Sequence, residues 1–370
     1  MNSATTTRMP RKPIRIWVDG CYDVMHHGHF NSLRQAKAMG DIVVAGVHSD
    51  AEIMQHKGPP IMNEDERVEA VSACKWVDEV VPNAPYLTSL EWMDRYNCDF
   101  CVHGDDVSTL ADGTDSYKHV KDVGRYRECR RTKGVSTTDL VSRMLLMTQD
   151  QSTNGRALDE ASPGREAGAV QKMTTRHSNG INTSNGFHND HNSHGDTDST
   201  ALQVLETARK VAQFSYSNQR TPQKGDKVVY VDGAFDLFHI GHIDFLRRAS
   251  ALGDFLVVGV HDDQTVRARK GAHHPLLSLH ERVLSVLACR YVGDVVIGAP
   301  YGMTEEVLNG DYSVDFVARG HSPESEASLG DQDPYRLAKS RGIFVQLDEV
   351  PAHSVTTESI VHRILDNRAL

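Results

Sequence analysis

Long apolar runs are missing from this 370-residue chain. A membrane-spanning helix needs about 18 or more consecutive apolar residues. The longest candidate, Phe255 to Val260, is only strand-sized, so no span is expected. Cysteine is scarce as well. Six residues without regular spacing argue against a disulfide framework and for a reducing, cytoplasmic compartment. Cys98 and Cys101 form one C-x-x-C, but zinc would need a second pair of ligands and none follows. Both thiols are therefore read as part of a strand over 99–103, and no metal site is expected. Nor is there an excess of basic residues. The net charge is −10 and the pI about 6.0, which argues against nucleic acid as the main partner, because phosphate-backbone binding needs a basic face. An anionic small molecule needs only a few Lys and Arg in a pocket. Residues 1–13 are Thr-rich, carry Arg8, Arg11 and Lys12, and lack the apolar stretch of a secretory signal. They are expected to form a flexible tail.

What the chain does have is enough hydrophobic residue, 39%, to build more than one core. It also contains itself twice. Trp17-Val18-Asp19-Gly20-Cys21-Tyr22-Asp23 returns as Tyr230-Val231-Asp232-Gly233-Ala234-Phe235-Asp236, and at this spacing 18 of the 34 positions from 17 to 50 are identical. His26 pairs with His239, His29 with His242, Gly40 with Gly253, Lys57-Gly58 with Lys270-Gly271, and Glu66-Arg67 with Glu281-Arg282. The period is too long for a solenoid and implies a duplicated domain. Between the copies, residues 151–200 are rich in Ser, Asn, Gly, Thr and His. They cannot bury enough apolar surface to offset the entropy of ordering and are expected to be a disordered linker. The linker histidines His177, His188, His191 and His194 are read as polar low complexity. Helical spacing returns over 201–214. The expected division is a tail over 1–13, a first domain over 14–150, a linker over 151–225 and a second domain over 226–370.

Within the first copy, strands are expected over 14–18, 41–47, around Val80-Val81, and over 100–102. Helices are expected over 29–39, with Gly40 at its end, over 64–77 and over 139–147. Alternating strands and helices imply parallel βαβ units. The fold class is α/β, two tandem Rossmann-like doubly wound domains, each with a parallel sheet and a ligand site at the carboxyl ends of its strands.

His26-His27-Gly28-His29 and His239-Ile240-Gly241-His242 each follow a strand and open a helix. Backbone N–H groups and the helix dipole attract phosphate at such a place, and imidazoles donate hydrogen bonds to its oxygens. The glycine between them is read as letting phosphate approach the backbone. Lys57 and Lys270 are placed in loops and read as cations on a triphosphate. Arg131-Thr132-Lys133-Gly134-Val135-Ser136-Thr137-Thr138 precedes a helix and makes a second phosphate cradle.

These runs, D-G-x-x-D-x-x-H-x-G-H, the later K-G, E-x-x-R and R-T-x-G-x-S-T, resemble the cytidylyltransferase family of the nucleotidyltransferase superfamily. The duplication resembles its two-domain members, which act on phosphoethanolamine. The resemblance implies transfer of CMP from CTP to phosphoethanolamine, with Mg²⁺ carried on the nucleotide rather than by a dedicated protein site. It implies His26, His29, Lys57 and Arg131 as catalytic residues. CTP in the first copy would meet Asp19, Gly20, Cys21, Tyr22, Arg67, Gly104, Asp105, Ser136, Thr137 and Thr138. Asp19 and Tyr117 would face the ammonium group by charge and cation–π contact. In the second copy the matching set is Ala234, Phe235, His239, His242, Lys270, Arg319, Gly320, His321, Val355, Thr356 and Thr357. Thr356 and Thr357 are aligned with Thr137 and Thr138, and no Arg-Thr pair precedes them. The first copy is therefore expected to do the chemistry and the second to brace it. The alternatives are a phosphocholine or glycerol 3-phosphate acceptor, and a nucleotide-sensing protein with degenerate catalysis. Class I aminoacyl-tRNA synthetases share H-I-G-H but also need a K-M-S-K-S-like loop and a basic tRNA surface, which this chain lacks. A homodimer is compatible with this reading.

Overall fold

The structure is a computed structural model that describes residues 11–106, 109, 113–145, 209–215, 221–320, 333–348 and 355–367. Residues 151–208 of the expected linker lie outside them, and with them the first eight residues of the helix expected over 201–214. In the first copy, β-branched and apolar runs form β1 (Arg15–Gly20), β2 (Ile42–His48), β3 (Glu79–Ala84), β4 (Phe100–Gly104) and β5 (Tyr126–Cys129). They make one parallel sheet in the order β3-β2-β1-β4-β5. The second copy repeats it with β6 (Val228–Gly233), β7 (Phe255–His261), β8 (Asp294–Ala299), β9 (Phe316–Arg319) and β10 (Phe344–Gln346), in the order β10-β9-β6-β7-β8. The register repeats with the sequence: Arg15 faces Ile42 as Val228 faces Phe255. In both sheets the order reverses beside the first strand, and this opens a crevice at its carboxyl end.

Several expected boundaries move. The helix expected over 64–77 spans only Glu64–Ser72. Residues 73–77 turn away because Cys74 pairs with Cys289 across the two copies in an antiparallel bridge, closed by Lys75 N to Ala288 O at 2.9 Å and Arg290 N to Ala73 O at 2.8 Å. The helix expected over 29–39 is His27–Lys37, capped at Ala38. Gly40 therefore serves space rather than a left-handed turn, since a Cβ there would lie 2.7 Å from Ile16 Cδ1. The last helix of the first copy runs over 137–145, and β5 was not expected.

One hydrophobic core joins the copies. Val71, Trp76 and Val77 of the first belong to the same cluster as Val283, Leu284 and Leu287 of the second. Phe214, from a helix over 209–215, meets Trp76 edge-on with ring centres 5.0 Å apart. Among the described residues, no helix is long and apolar enough to cross a membrane.

Candidate active site

Beyond β1 the chain runs through Asp19, Gly20, Cys21, Tyr22, Asp23 and Val24 in a strained turn. Tyr22 has φ +52° and Val24 φ +43°, a conformation that a β-branched residue rarely adopts. Such strain persists where surrounding bonds over-determine it. Asp23 accepts hydrogen bonds from Ile61 N at 2.8 Å and Met62 N at 2.9 Å. Thr137 Oγ1 donates to Asp23 O at 3.2 Å. Arg67, fully buried, donates to Cys21 O at 2.7 Å, to Met62 O at 3.0 Å and to Asp50 Oδ1 at 2.7 Å. The resemblance placed Arg67 among the residues that would meet CTP; the structure puts it behind the turn, outside the residues that line the cavity.

The helix His27–Lys37 begins with a capping box built of two histidines. Gly28 N donates to His26 Nδ1 at 3.1 Å, and His26 N donates to His29 Nδ1 at 3.4 Å. Because each Nδ1 accepts, the proton of each neutral ring sits on Nε2. The rings lie 4.1 Å apart. Burial, together with the neighbouring cations, pushes His29 down to about 4 and His26 well below the usual imidazole range. Both rings are therefore neutral N–H donors at pH 7. Gly28 has a different task from the expected one: a Cβ there would sit 2.8 Å from His26 Cε1 and 3.0 Å from Val135 Cγ1, so the glycine makes room for the capping ring.

Lys57 is not in a loop. It ends the helix Asp50–Lys57, and Gly58 follows with φ 96° and ψ −174°, a backbone region essentially confined to glycine. A lysine in the last helical turn also suits the dipole. Lys57 lines a cavity of about 480 Å³ with His26, His29, Arg131, Ser136, Thr137 and Thr138. Asp19, Gly20, Cys21, Tyr22 and Gly104 line it too. Asp105 does not, but its carboxylate accepts from Arg131 N at 2.8 Å. His103 and Asp106 line the cavity and were missed by the sequence reading. Asp106 holds Arg131 at 3.1 Å, and His103 follows the β4 alternation that could have revealed it.

At the sheet end Asp19 is hydrogen-bonded by Trp17 Nε1 at 2.9 Å, by Tyr117 Oη at 3.1 Å and by Thr88 Oγ1. Tyr117 does not line the cavity directly; its hydroxyl meets the carboxylate from behind. Burial first, and then Asp19, pushes its phenol well above the usual range.

The second copy repeats this framework. Gly241 N donates to His239 Nδ1 at 3.2 Å, His239 N to His242 Nδ1 at 3.4 Å, and the rings lie 3.9 Å apart. Arg282 holds Ala234 O at 2.6 Å, and Tyr335 Oη donates to Asp232 at 2.7 Å. Arg319 lies over the Tyr335 ring at 5.0 Å. Phe235 packs on His242 as Tyr22 does on His29. Gly320 closes β9 with open space only as far as Phe245. His321 lies outside the described residues.

One alignment changes. Thr357 Oγ1 donates to Asp236 O at 3.0 Å, the bond that Thr137 makes to Asp23 O. Thr356 caps Ser359 N as Ser136 caps Asp139 N, both at 3.1 Å. Thr357 therefore stands for Thr137, Thr356 for Ser136, Val355 for Val135, and the place of Thr138 is taken by Glu358. Its carboxylate lies 3.6 Å from Lys270 Nζ.

A profile of the cytidylyltransferase-like family matches residues 17–143 and again 230–360. The ethanolamine-phosphate cytidylyltransferase of Mus musculus is 48% identical over 96% of this chain and 86% of its own length. That of Dictyostelium discoideum is 47% identical over 99% and 94%. The choline-phosphate cytidylyltransferase A of Homo sapiens, at 37% identity, reaches only 39% of this chain and 40% of its own length. The chain belongs to the ethanolamine-phosphate cytidylyltransferase family, within the cytidylyltransferase-like nucleotidyltransferases.

Proposed function

We propose that the first copy transfers the cytidylyl group of CTP to the phosphate of phosphoethanolamine, giving CDP-ethanolamine and pyrophosphate, in the cytoplasmic route to phosphatidylethanolamine. The observation that carries this reading is the pair of neutral imidazole donors, His26 and His29, set with Lys57 and Arg131 around one cavity at the end of β1.

The nucleophile is a phosphate monoester oxygen. With a second pKa near ~6 it is largely dianionic at neutral pH, so no general base is required. It attacks the α-phosphorus in line; the new P–O bond forms as the bond to the β-phosphate breaks, and pyrophosphate leaves with the electron pair. The protein's task is alignment and neutralisation of charge. The Nε2–H groups of His26 and His29 donate to phosphate oxygens. Lys57 sits between the α-phosphate and the incoming phosphate, and Arg131 with Ser136 and Thr137 holds the leaving group. Asp19, backed by Tyr117, faces the ammonium end.

Mg²⁺ bound to CTP would neutralise further phosphate charge. The lining carboxylates already have protein partners: Asp19 holds Trp17 and Tyr117, Asp23 two backbone N–H groups, and Asp106 Arg131. These contacts fit an ion carried on the nucleotide's own oxygens. The test is pyrophosphate release from CTP with phosphoethanolamine, phosphocholine or glycerol 3-phosphate. Release with the first, well above the other two, is expected. No release, or a preference for phosphocholine, overturns the reading.

A further inference from the structure

The loop that follows Lys57 is clamped from both sides. From inside, the Asp23 carboxylate takes Ile61 N and Met62 N. From outside, an arginine of the other copy closes it. Arg363, on the helix Thr357–Asn367, donates to Ile61 O at 3.3 Å and forms a two-pronged ion pair with Glu66, at 2.6 and 2.8 Å. Glu66 is itself buried and is half of the capping box of the helix Glu64–Ser72: Asn63 is the N-cap, and Glu66 accepts from Asn63 N at 3.0 Å. Its chain neighbour Arg67 holds the Cys21 carbonyl of the strained turn. One guanidinium therefore bears on both walls of the site, the Lys57 loop and the Cys21 turn, although it does not line the cavity.

The mirror contact is lighter. Arg143 of the first copy meets Glu281 at 3.1 Å to each oxygen. An ion pair whose carboxylate is buried is strongly destabilised when one partner is removed, and a misplacement of about 1 Å at a site built on alignment costs as much as 10²-fold in rate.

We propose that Arg363 of the C-terminal copy is a positioning residue for the first copy's site, setting the height of the Lys57 loop and the Cys21 turn through Ile61 and Glu66. This inference rests on the reaction proposed above. Its effect falls on the transition state, where Lys57 acts, more than on capture of substrate.

The test uses the full chain as wild type, Arg363→Ala, Arg363→Lys, Glu66→Gln and Arg143→Ala. Steady-state rates are measured with CTP and phosphoethanolamine, and amide hydrogen exchange over residues 57–63 is followed without substrate. Arg363→Ala is expected to lower kcat by about tenfold or more while KM for phosphoethanolamine moves less than about twofold. Exchange at Ile61 and Met62 should rise. Arg363→Lys should recover only part of the rate, because an ammonium keeps the charge but lacks the planar fork that reaches the Glu66 carboxylate and the Ile61 carbonyl together. Glu66→Gln, which keeps the cap acceptor, should show the same kinetic pattern in a well-folded chain. Arg143→Ala should lower the thermal midpoint but leave kcat within about twofold. Unchanged kcat and unchanged exchange in Arg363→Ala, or an equal fall in kcat for Arg143→Ala, overturns the proposal. A wild-type protein without turnover overturns the reaction instead, and the exchange data then still decide whether Arg363 holds the loop.

Discussion

The two copies agree where folding is concerned and part where charge is concerned. Their double-histidine caps match to within 0.1 Å in the Gly N to His Nδ1 bond, 3.1 against 3.2 Å, and their buried arginines hold the same turn carbonyls. Yet Lys57 looks onto Tyr86 and Cys21, whereas Lys270 faces the carboxylate of Glu358. The carboxylates at the sheet ends differ too. Asp19 Oδ2 receives Trp17 and Thr88, while Asp232 Oδ2, with Tyr230 in place of the tryptophan, receives no hydrogen bond from the described residues and lies 3.7 Å from His261 Nε2; burial raises the pKa of its carboxyl. The motif that names the family is thus a folding device first: it caps a helix in either copy, whether or not the surroundings can neutralise a triphosphate. On the reading proposed above, catalysis depends on the cations around it, Lys57 and Arg131 in the first copy.

The largest expected contrast is in turnover. His29→Ala should cut kcat by about 10²-fold, the scale of losing one transition-state donor, while His242→Ala should cost less than about threefold. Equal losses in two folded variants, read by pyrophosphate release, would break the contrast between the copies. Next comes Glu358→Thr, which gives the second copy the residue that the first has. Releasing Lys270 from the carboxylate should tighten CTP binding there by about tenfold, the worth of one charge-assisted contact. Titration calorimetry would then resolve a second binding event. If the isotherm stays identical to wild type, the ion pair is not what distinguishes the second site.

Glycine substitutions give a smaller and more even effect. Gly58 and Gly271 share nearly the same backbone angles, φ 96° and 97°, so Gly58→Ala and Gly271→Ala should each cost about 1–3 kcal/mol in chemical denaturation. Only the first should also slow turnover, because only it holds a lysine proposed to act. Near neutral pH the smallest effect is the pH dependence, which grows by up to about 1.4 kcal/mol per pH unit for each such histidine below about pH 6.5. His29 and His239 are pushed down to about 4 and about 3 in the folded chain, against about 6.5 when unfolded. Below pH 6.5 the unfolded chain binds protons that the folded one refuses, so stability should fall as pH drops from about 6.5 toward 4. His29→Ala and His239→Ala should flatten that slope similarly. A midpoint that holds level from pH 7 to pH 5 would contradict the neutral caps.

The doubly wound sheets were legible because their central strands, such as β2 and β7, are buried on both faces and read as near-continuous Val-rich runs. The double-histidine motif at a helix start was legible because it is local, four consecutive residues, but that its rings cap the helix follows only from the Nδ1 contacts. Lys57 was misplaced because the helix that bears it, Asp-Ala-Glu-Ile-Met-Gln-His-Lys, buries only Ile53 and so shows no apolar stripe. β5 escaped because its edge residues Arg127 and Glu128 are charged and exposed. Glu358 was hidden by a one-residue slip between two Thr-Thr pairs, which the hydrogen bond from Thr357 to Asp236 and the Thr356 cap on Ser359 resolve. Arg363 and Glu66 lie 297 residues apart, and no pattern in a single sequence reveals such a pair.

The bridge at Cys74 and Cys289 has a geometric consequence. Each residue faces its own counterpart, and the flanking ion pairs run from Arg143 to Glu281 and from Arg363 back to Glu66. This is the self-complementary pattern of a two-fold symmetric dimer, in which one patch recognises itself. Here both halves belong to one polypeptide, so the pairing is intramolecular, and its strength does not depend on protein concentration. The halves are also free to diverge, since a substitution in one is not copied into the other. Glu358, which stands where the first copy has Thr138 and faces Lys270, is such a change. Because this patch is filled from within, two whole chains that associate must meet through another face.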